Sequence, residues 1–204
     1  MFHPVGHPME RGWVGRIDGD RVIQLAAQTL QSFFTGGGNA RDHAEFRLVE
    51  VVLLAPVLHP PSVRVFDDTD SFAFANPAAI VGPGAVVVHP EPLSVQARPT
   101  VVIGAHGEVG GFTLLAEWRA SGGRPPKDRD FALGLGPVVV TLDEVTPSGF
   151  DWDAAIALAA ARTALYPGDL LAGPAVETRE VAPGSAVMLE IDGIGTLEQR
   201  VGAP

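Results

Sequence analysis

Glycine and proline, 24 and 18 residues of a 204-residue chain, are spread along its whole length instead of gathering in one linker, and that punctuation limits what the chain can fold into. Proline fixes φ and removes a backbone donor, and glycine tolerates backbone conformations that other residues avoid, so each marks a corner. Between the corners lie short runs rich in β-branched residues, and a sheet-rich fold follows. Trp13 to Ile17 and Val22 to Leu25 read as two strands of a hairpin around Asp18-Gly19-Asp20. Ala26 to Phe34 reads as a short helix stopped by Thr35-Gly36-Gly37-Gly38, and after a polar loop Arg47 to Leu54 reads as a strand ending at Ala55-Pro56. Residues 1–56 are thus expected to form a small N-terminal α/β lobe, and residues 57–204 a larger domain.

In that larger part, Val86 to Val88, Thr100 to Gly104, Gly111 to Trp118, Val138 to Leu142 and Ala186 to Leu197 supply strands. Asp151 to about Leu165 is the one convincing helix, with an acidic first turn, an alanine-rich body and Tyr166-Pro167-Gly168 as its stop. The expected class is α+β, mostly β. No strand, glycine-rich loop and helix follow one another as a nucleotide site requires; the glycines at 36–38 close a helix instead of opening one.

Composition removes several function classes. A formal net charge of −10, without clustered Lys and Arg, argues against nucleic acid as a partner, because phosphate neutralisation needs such clusters. The absence of cysteine excludes disulfides and thiolate metal sites and suits a reducing cytoplasm. No run approaches the roughly 18 apolar residues of a membrane span, and the start carries no apolar signal-peptide core, so a cytoplasmic location is expected. Lys127 is the only lysine, beside Arg129 and Asp130 at a Pro-Pro corner, a setting that invites a catalytic reading. With thirteen arginines to that one lysine, the bias is that of GC-rich coding, and the scarcity of lysine says little about position 127.

Several segments in order, LLAPV with PPSVR, ANPAAIVGPGAVVVHP, TVVIG, KDRDFALGLGPVVVTLDEV, LYPGDLLAG and IDGIGTLEQRV, resemble the fumarylacetoacetate hydrolase family over most of residues 50–204. RGWVGRIDGDRVIQL resembles that family's N-terminal lobe. The resemblance implies a mixed β-roll with a small N-terminal α/β lobe, paired as a homodimer. It also implies C–C hydrolase, decarboxylase, isomerase or hydratase chemistry on small oxo-acids held by Mg or Ca.

The implied metal positions fall on Val65, Gln96, Arg98 and Glu117. Hard cations take carboxylate and carbonyl oxygens, and an arginine among them adds a fixed positive charge, so no metal and no cofactor is expected here. Phe72 falls near the implied histidine, which leaves the usual acid/base place empty. Counting back from Gly136-Pro137, the family's functional lysine falls on Arg129, with Lys127 as its neighbour. Arg129 can grip a carboxylate but cannot serve as a base. Where the family commonly has Gly-Thr after the PGD turn, this chain has Gly173-Pro174, which offers neither hydroxyl nor amide proton.

Glu117 and Arg129 are therefore the candidate catalytic residues, and Arg98, Gln96 and Lys127 the candidate ligand-binding ones. Beside this stand plainer readings: Glu117 paired with Arg98 or Arg119, and Arg129 paired with Asp128 or Asp130 in an exposed turn. Asp67, Asp68 and Asp70 form either a cation site or a solvated turn. His3 and His7 read as tail, His43 as loop, His59 and His89 as extended corners before proline, and His106 with Glu108 as a hairpin tip. Two functions remain open. One is a descendant without the family's metal-dependent hydrolysis, kept for structure, dimerisation or ligand binding. The other is a metal-independent decarboxylase, isomerase or C–C hydrolase that acts on a small carboxylate or oxo-acid.

Overall fold

The structure, a computed structural model, describes residues 1–145 and 149–203. The chain opens with β1 (Phe2–Pro4), the hairpin β2 (Gly15–Asp18) and β3 (Arg21–Leu25), α1 (Leu30–Thr35), β4 (Asp42–Arg47) and, after a tight turn over Leu48–Glu50, β5 (Val51–Leu53). Short strands β6 (Val63–Val65), β7 (Ala73–Ala75), β8 (Ile80–Val81) and β9 (Val86–Val87) lead to a long pair, β10 (Leu93–Ile103) and β11 (Val109–Ala120). Then come β12 (Leu133–Leu135), α2 (Trp152–Ala160), β13 (Leu170–Ala172), β14 (Glu177–Val181), β15 (Ala186–Ile191) and β16 (Gly195–Val201). The chain is mostly β, as its glycine and proline pattern implies. Among the described residues no helix is long and apolar enough to cross a membrane.

One mixed eight-stranded sheet in the order β7-β6-β13-β10-β11-β12-β8, with β14 also on β10, forms the body of the molecule. β10 and β11 run antiparallel in register from Leu93 opposite Ala120 to Val102 opposite Gly111, and this hairpin turns at the His106 tip. A second sheet, β15-β16-β9, packs Leu189, Leu197 and Val201 into the same core as Trp118 and Leu93. The two N-terminal sheets are β2-β3-β4 and β1-β5. In the hairpin between β2 and β3, Gly19 takes φ +57, the left-handed value that an Asp-Gly turn needs. Burying side chains such as Leu114, Leu115, Leu133 and Leu171 completely contributes about 1.5–3 kcal/mol each, which makes the β10–β11 layer the stable frame of the site.

Five sequence expectations are corrected. Val138 to Leu142 is not a strand: only Val140 bridges, to Phe112, and Leu142 is half exposed. The ladder position belongs instead to Leu133–Leu135, just before the Gly136-Pro137 corner. The polar loop before residue 47 is β4, where Ala44 and Phe46 alternate with exposed His43 and Glu45 and pair along β3. Arg47 to Leu54 is broken by the turn at Leu48–Glu50, which exposes Val49. Both helices are shorter than expected. Thr29 caps α1 by exchanging hydrogen bonds with Ser32, so 26–28 stay outside it. α2 starts after its Asp151 cap as expected but ends at Ala160, because 160–164 are exposed and alanine propensity without packing does not hold a helix in water.

Candidate functional site

Alternation along β10 and β11 divides their side chains between two faces. Val95, Ala97, Ala116 and Trp118 enter the larger core. The opposite face carries Gln96, Arg98, Glu117 and Arg119, with Gln96 directly across from Glu117. Val102, Leu115, Leu133 and Val63 fill the far end of that face with a second apolar core, which leaves the polar residues together at the near end. The site is thus a polar patch at one end of a face whose far end is closed by hydrocarbon, with Thr100 and Thr113 buried between the two.

Arg98 is its centre, and only 1% exposed. Its Nε donates to Glu117 Oε2 at 2.8 Å, and Nη1 donates to the carbonyls of Phe66 at 3.1 Å and Gly173 at 3.0 Å. Nη2 donates to Asp67 Oδ1 at 2.9 Å and Gln96 Oε1 at 2.7 Å. A guanidinium has five N–H groups, and all of them are used. Glu117, also 1% exposed, accepts a second hydrogen bond on Oε2 from Arg119 Nη2 at 3.0 Å. Its other oxygen, Oε1, is buried without a hydrogen-bond partner; Arg129 Nη1 lies 3.9 Å from it.

Arg129 is held by its neighbour: Nε and Nη2 donate to Asp128 at 3.0 and 2.6 Å. The Arg129 hydrogen bonds hold the Asp128 carboxyl below its ordinary value, with burial opposing, and the same bonds raise Arg129 above its own. Arg129 therefore stays a cation. Lys127 is 81% exposed and pairs with Asp130 at 2.6 Å, apart from this network. The plainer readings of Glu117 and Arg129 thus describe the pairs that form, with Asp128 and not Asp130 as the partner of Arg129. The Asp67 loop divides: Asp67 reaches Arg98, while Asp68 accepts the amides of Asp70 and Ser71 as a turn.

A cavity of about 210 Å³ opens beside the network, lined among others by Asp67, Ser71, Phe72, Phe74, Glu117 and Arg129. Arg98, Gln96 and Lys127 are not in its wall. The Arg64 guanidinium covers Phe72 and Phe74 at 5.7 and 5.5 Å, and Ser62 and Asp169 anchor it from behind. Ser71 and Phe74 were not singled out from sequence, and Asp67 only as one of three aspartates of its loop, since they enter through β7 and its loop, which the sequence does not place against β10 and β11. A larger groove of about 1040 Å³ lies between α1, the N-terminal sheet and residues 137–144; it holds His106 and Glu108 but none of the network.

The donor set does not fit a divalent cation. Val65 has no donor, Gln96 Oε1 and Glu117 Oε2 are engaged by guanidinium groups, and Arg98 itself is cationic. Among the described residues no group of three or more His, Cys, Asp or Glu could hold a metal ion. A divalent ion about 4 Å from a guanidinium meets a repulsion on the order of 8 kcal/mol at an effective dielectric constant near 20.

In overall shape the chain is similar over nearly its full length to maleylpyruvate hydrolase from Sphingobium sp. SYK-6, with a TM-score of 0.80 and 20% identity over 96% of this chain and 98% of that one. The structure of that hydrolase in complex with manganese (II) ion and pyruvate gives a TM-score of 0.78 at 19% identity, over 95% and 97%. 5-Carboxymethyl-2-hydroxymuconate delta-isomerase from Mycobacterium smegmatis gives 0.75 at 20% identity, over 94% of each chain. No sequence-family model and no curated protein matches the chain. The fold is that of the fumarylacetoacetate hydrolase proteins.

Proposed function

We propose that this chain is a divergent member of the fumarylacetoacetate hydrolase family that binds a small carboxylate without a divalent metal and lacks the family's metal-dependent hydrolysis. The observation that carries the reading is the Arg98 guanidinium, buried between Gln96, Glu117 and Asp67 with every N–H engaged. A fixed single charge tied to the sheet stands among the residues that the resemblance assigns to an ion. It can neutralise Glu117, but it has no open coordination position to polarise a bound oxygen. The anion is received by Arg129, which borders the cavity and whose Nη1 is outside its clasp with Asp128. Gln96 acts by orienting Arg98, and Lys127 by steadying the surface turn around Asp130.

A second reading, a metal-independent enzyme acting on a small oxo-acid, is favoured by one observation: Glu117 Oε1 has no partner and Glu117 borders the same cavity as Arg129. An unengaged carboxylate oxygen beside a cation is where a proton could be taken or returned. The smaller lobe (residues 1–56), read from its local turn and strand signals, the cytoplasmic location, read from composition, and the homodimer, implied by the resemblance, belong to the same proposal.

Calorimetric titration with acetate, pyruvate and lactate in a chelating buffer tests the binding reading. Saturable 1:1 binding is expected, weakened roughly tenfold or more in Arg129→Ala through loss of a charge-assisted contact. Binding that appears only when Mg or Mn is added would overturn it. Turnover of pyruvate or an acylpyruvate in chelator, abolished by Glu117→Gln, would select the enzymatic reading.

A further inference from the structure

The hydrogen-bonding polarity of the cavity narrows its ligand further, given the carboxylate-binding reading above. Arg98 is the deepest cation of the network, yet its five N–H groups are all committed to Glu117, Phe66, Gly173, Asp67 and Gln96. It presents no donor to a ligand. The lining instead offers acceptors: Glu117, whose Oε1 is buried and unpartnered, and, at the exposed rim, the Asp67 carboxylate. Arg129 Nη1, at 3.9 Å, is beyond hydrogen-bonding reach of Oε1. A group in the cavity beside them has an acceptor and a cation as near neighbours.

We infer that the site takes saturated 2-hydroxy carboxylates of the lactate type in preference to the matching 2-oxo acids. The ligand carboxylate lies on Arg129 Nη1, which shifts toward it, and the 2-hydroxyl donates its proton to Glu117 Oε1. A 2-oxo acid has no proton there, so its carbonyl lone pairs face those of the carboxylate, an unpaired contact that discriminates strongly in a buried place. A 2-amino acid would bring an ammonium against Arg98, Arg119 and Arg129, whose nitrogens already lie at 2.8, 3.0 and 3.9 Å from Glu117. The cavity, about 210 Å³, equals the liquid volume of about seven waters and suits a three- or four-carbon acid, whose methyl end meets Phe72 and Phe74.

The test measures Kd on the full chain in chelator for each lactate enantiomer against pyruvate, for 2-hydroxybutyrate against 2-oxobutyrate, and for alanine. The preferred enantiomer is expected to bind tighter than pyruvate by roughly tenfold or more, with alanine weakest. In Glu117→Gln, whose amide can present an N–H, the ratio should fall to near one or reverse. Equal or tighter binding of the 2-oxo acids, or of alanine, overturns the inference and leaves the carboxylate reading standing. Absence of binding by every acid, acetate included, overturns both. The wild-type ratio decides even if Glu117→Gln fails to fold, and Arg129→Lys should weaken both acids in proportion, with the ratio kept.

Discussion

Arg98 joins four separate parts of the chain, because its acceptors come from β10, from β11, from the loop after β6 and from the turn after β13. Replacing it by methionine leaves Glu117 buried with one partner fewer, and removal of one member of a buried pair typically costs about 3–5 kcal/mol. Asp67 adds little to that loss, since its side chain is 78% exposed. Urea unfolding of Arg98→Met should show a drop of this order; a loss below about 1 kcal/mol would mean that the network is not a stabilising unit. The Asp128–Arg129 clasp behaves differently with pH. Its carboxyl lies below the ordinary 3.8 in the folded chain, so the unfolded chain takes up the proton first as acid is added. The clasp therefore stabilises fully above that ordinary value and is lost as pH falls through the folded one. Asp128→Asn should remove this part of the acid dependence, read as a smaller change in the urea midpoint between pH 5 and pH 3. Pairing of Glu117 with arginine is legible in the sequence, because a carboxylate in an apolar strand needs a cation. Asp67 is not, since nothing local distinguishes it from Asp68 and Asp70.

At the level of elements, the segment LGLGP illustrates where local reading stops. Glycine beside proline signals a corner, and the corner is real at Gly136, with φ +116, but Leu133–Leu135 forms a ladder strand between β11 and β8. Gly134 is needed there for closeness: a Cβ would come within 2.2 Å of Gln199 Oε1, which accepts the Trp118 indole N–H at 2.7 Å. Gln199 in turn donates to the Gly82 carbonyl at 3.2 Å, so β16 is tied to the main sheet through a glycine gap. Gly134→Ala should cost about 1–3 kcal/mol by overpacking, seen as a lowered Tm with a weakened Trp118 signature in near-ultraviolet circular dichroism. An unchanged Tm would show that Gln199 is not held there. The neighbouring apolar run at 138–142 misleads for the complementary reason. β propensity reports a side chain's suitability for a half-buried surface, and these residues meet that condition in a groove wall with only one bridge, at Val140.

For the whole molecule, the order of short motifs along the chain carries the fold, because each fixes a backbone corner of the main sheet or of the sheets packed against it. The site was legible only as departures from that pattern, at Gln96, Arg98, Glu117 and Arg129, and the departures say more about charge than about reaction. Pairing of two chains, implied by the resemblance, is checked by sedimentation: a mass near twice 21.3 kDa is expected, and a single-chain mass at all concentrations would remove it. The central claim is that a tethered guanidinium stands in the place of a divalent ion. Titration of the metal-free protein with Mn(II), followed by the loss of the free-ion electron paramagnetic resonance signal, tests it most directly. The account predicts no stoichiometric binding below the millimolar range for the wild type, and 1:1 binding once Gln96→Glu and Arg98→Glu are introduced together. Tight 1:1 binding by the wild type that disappears in Glu117→Gln would contradict it.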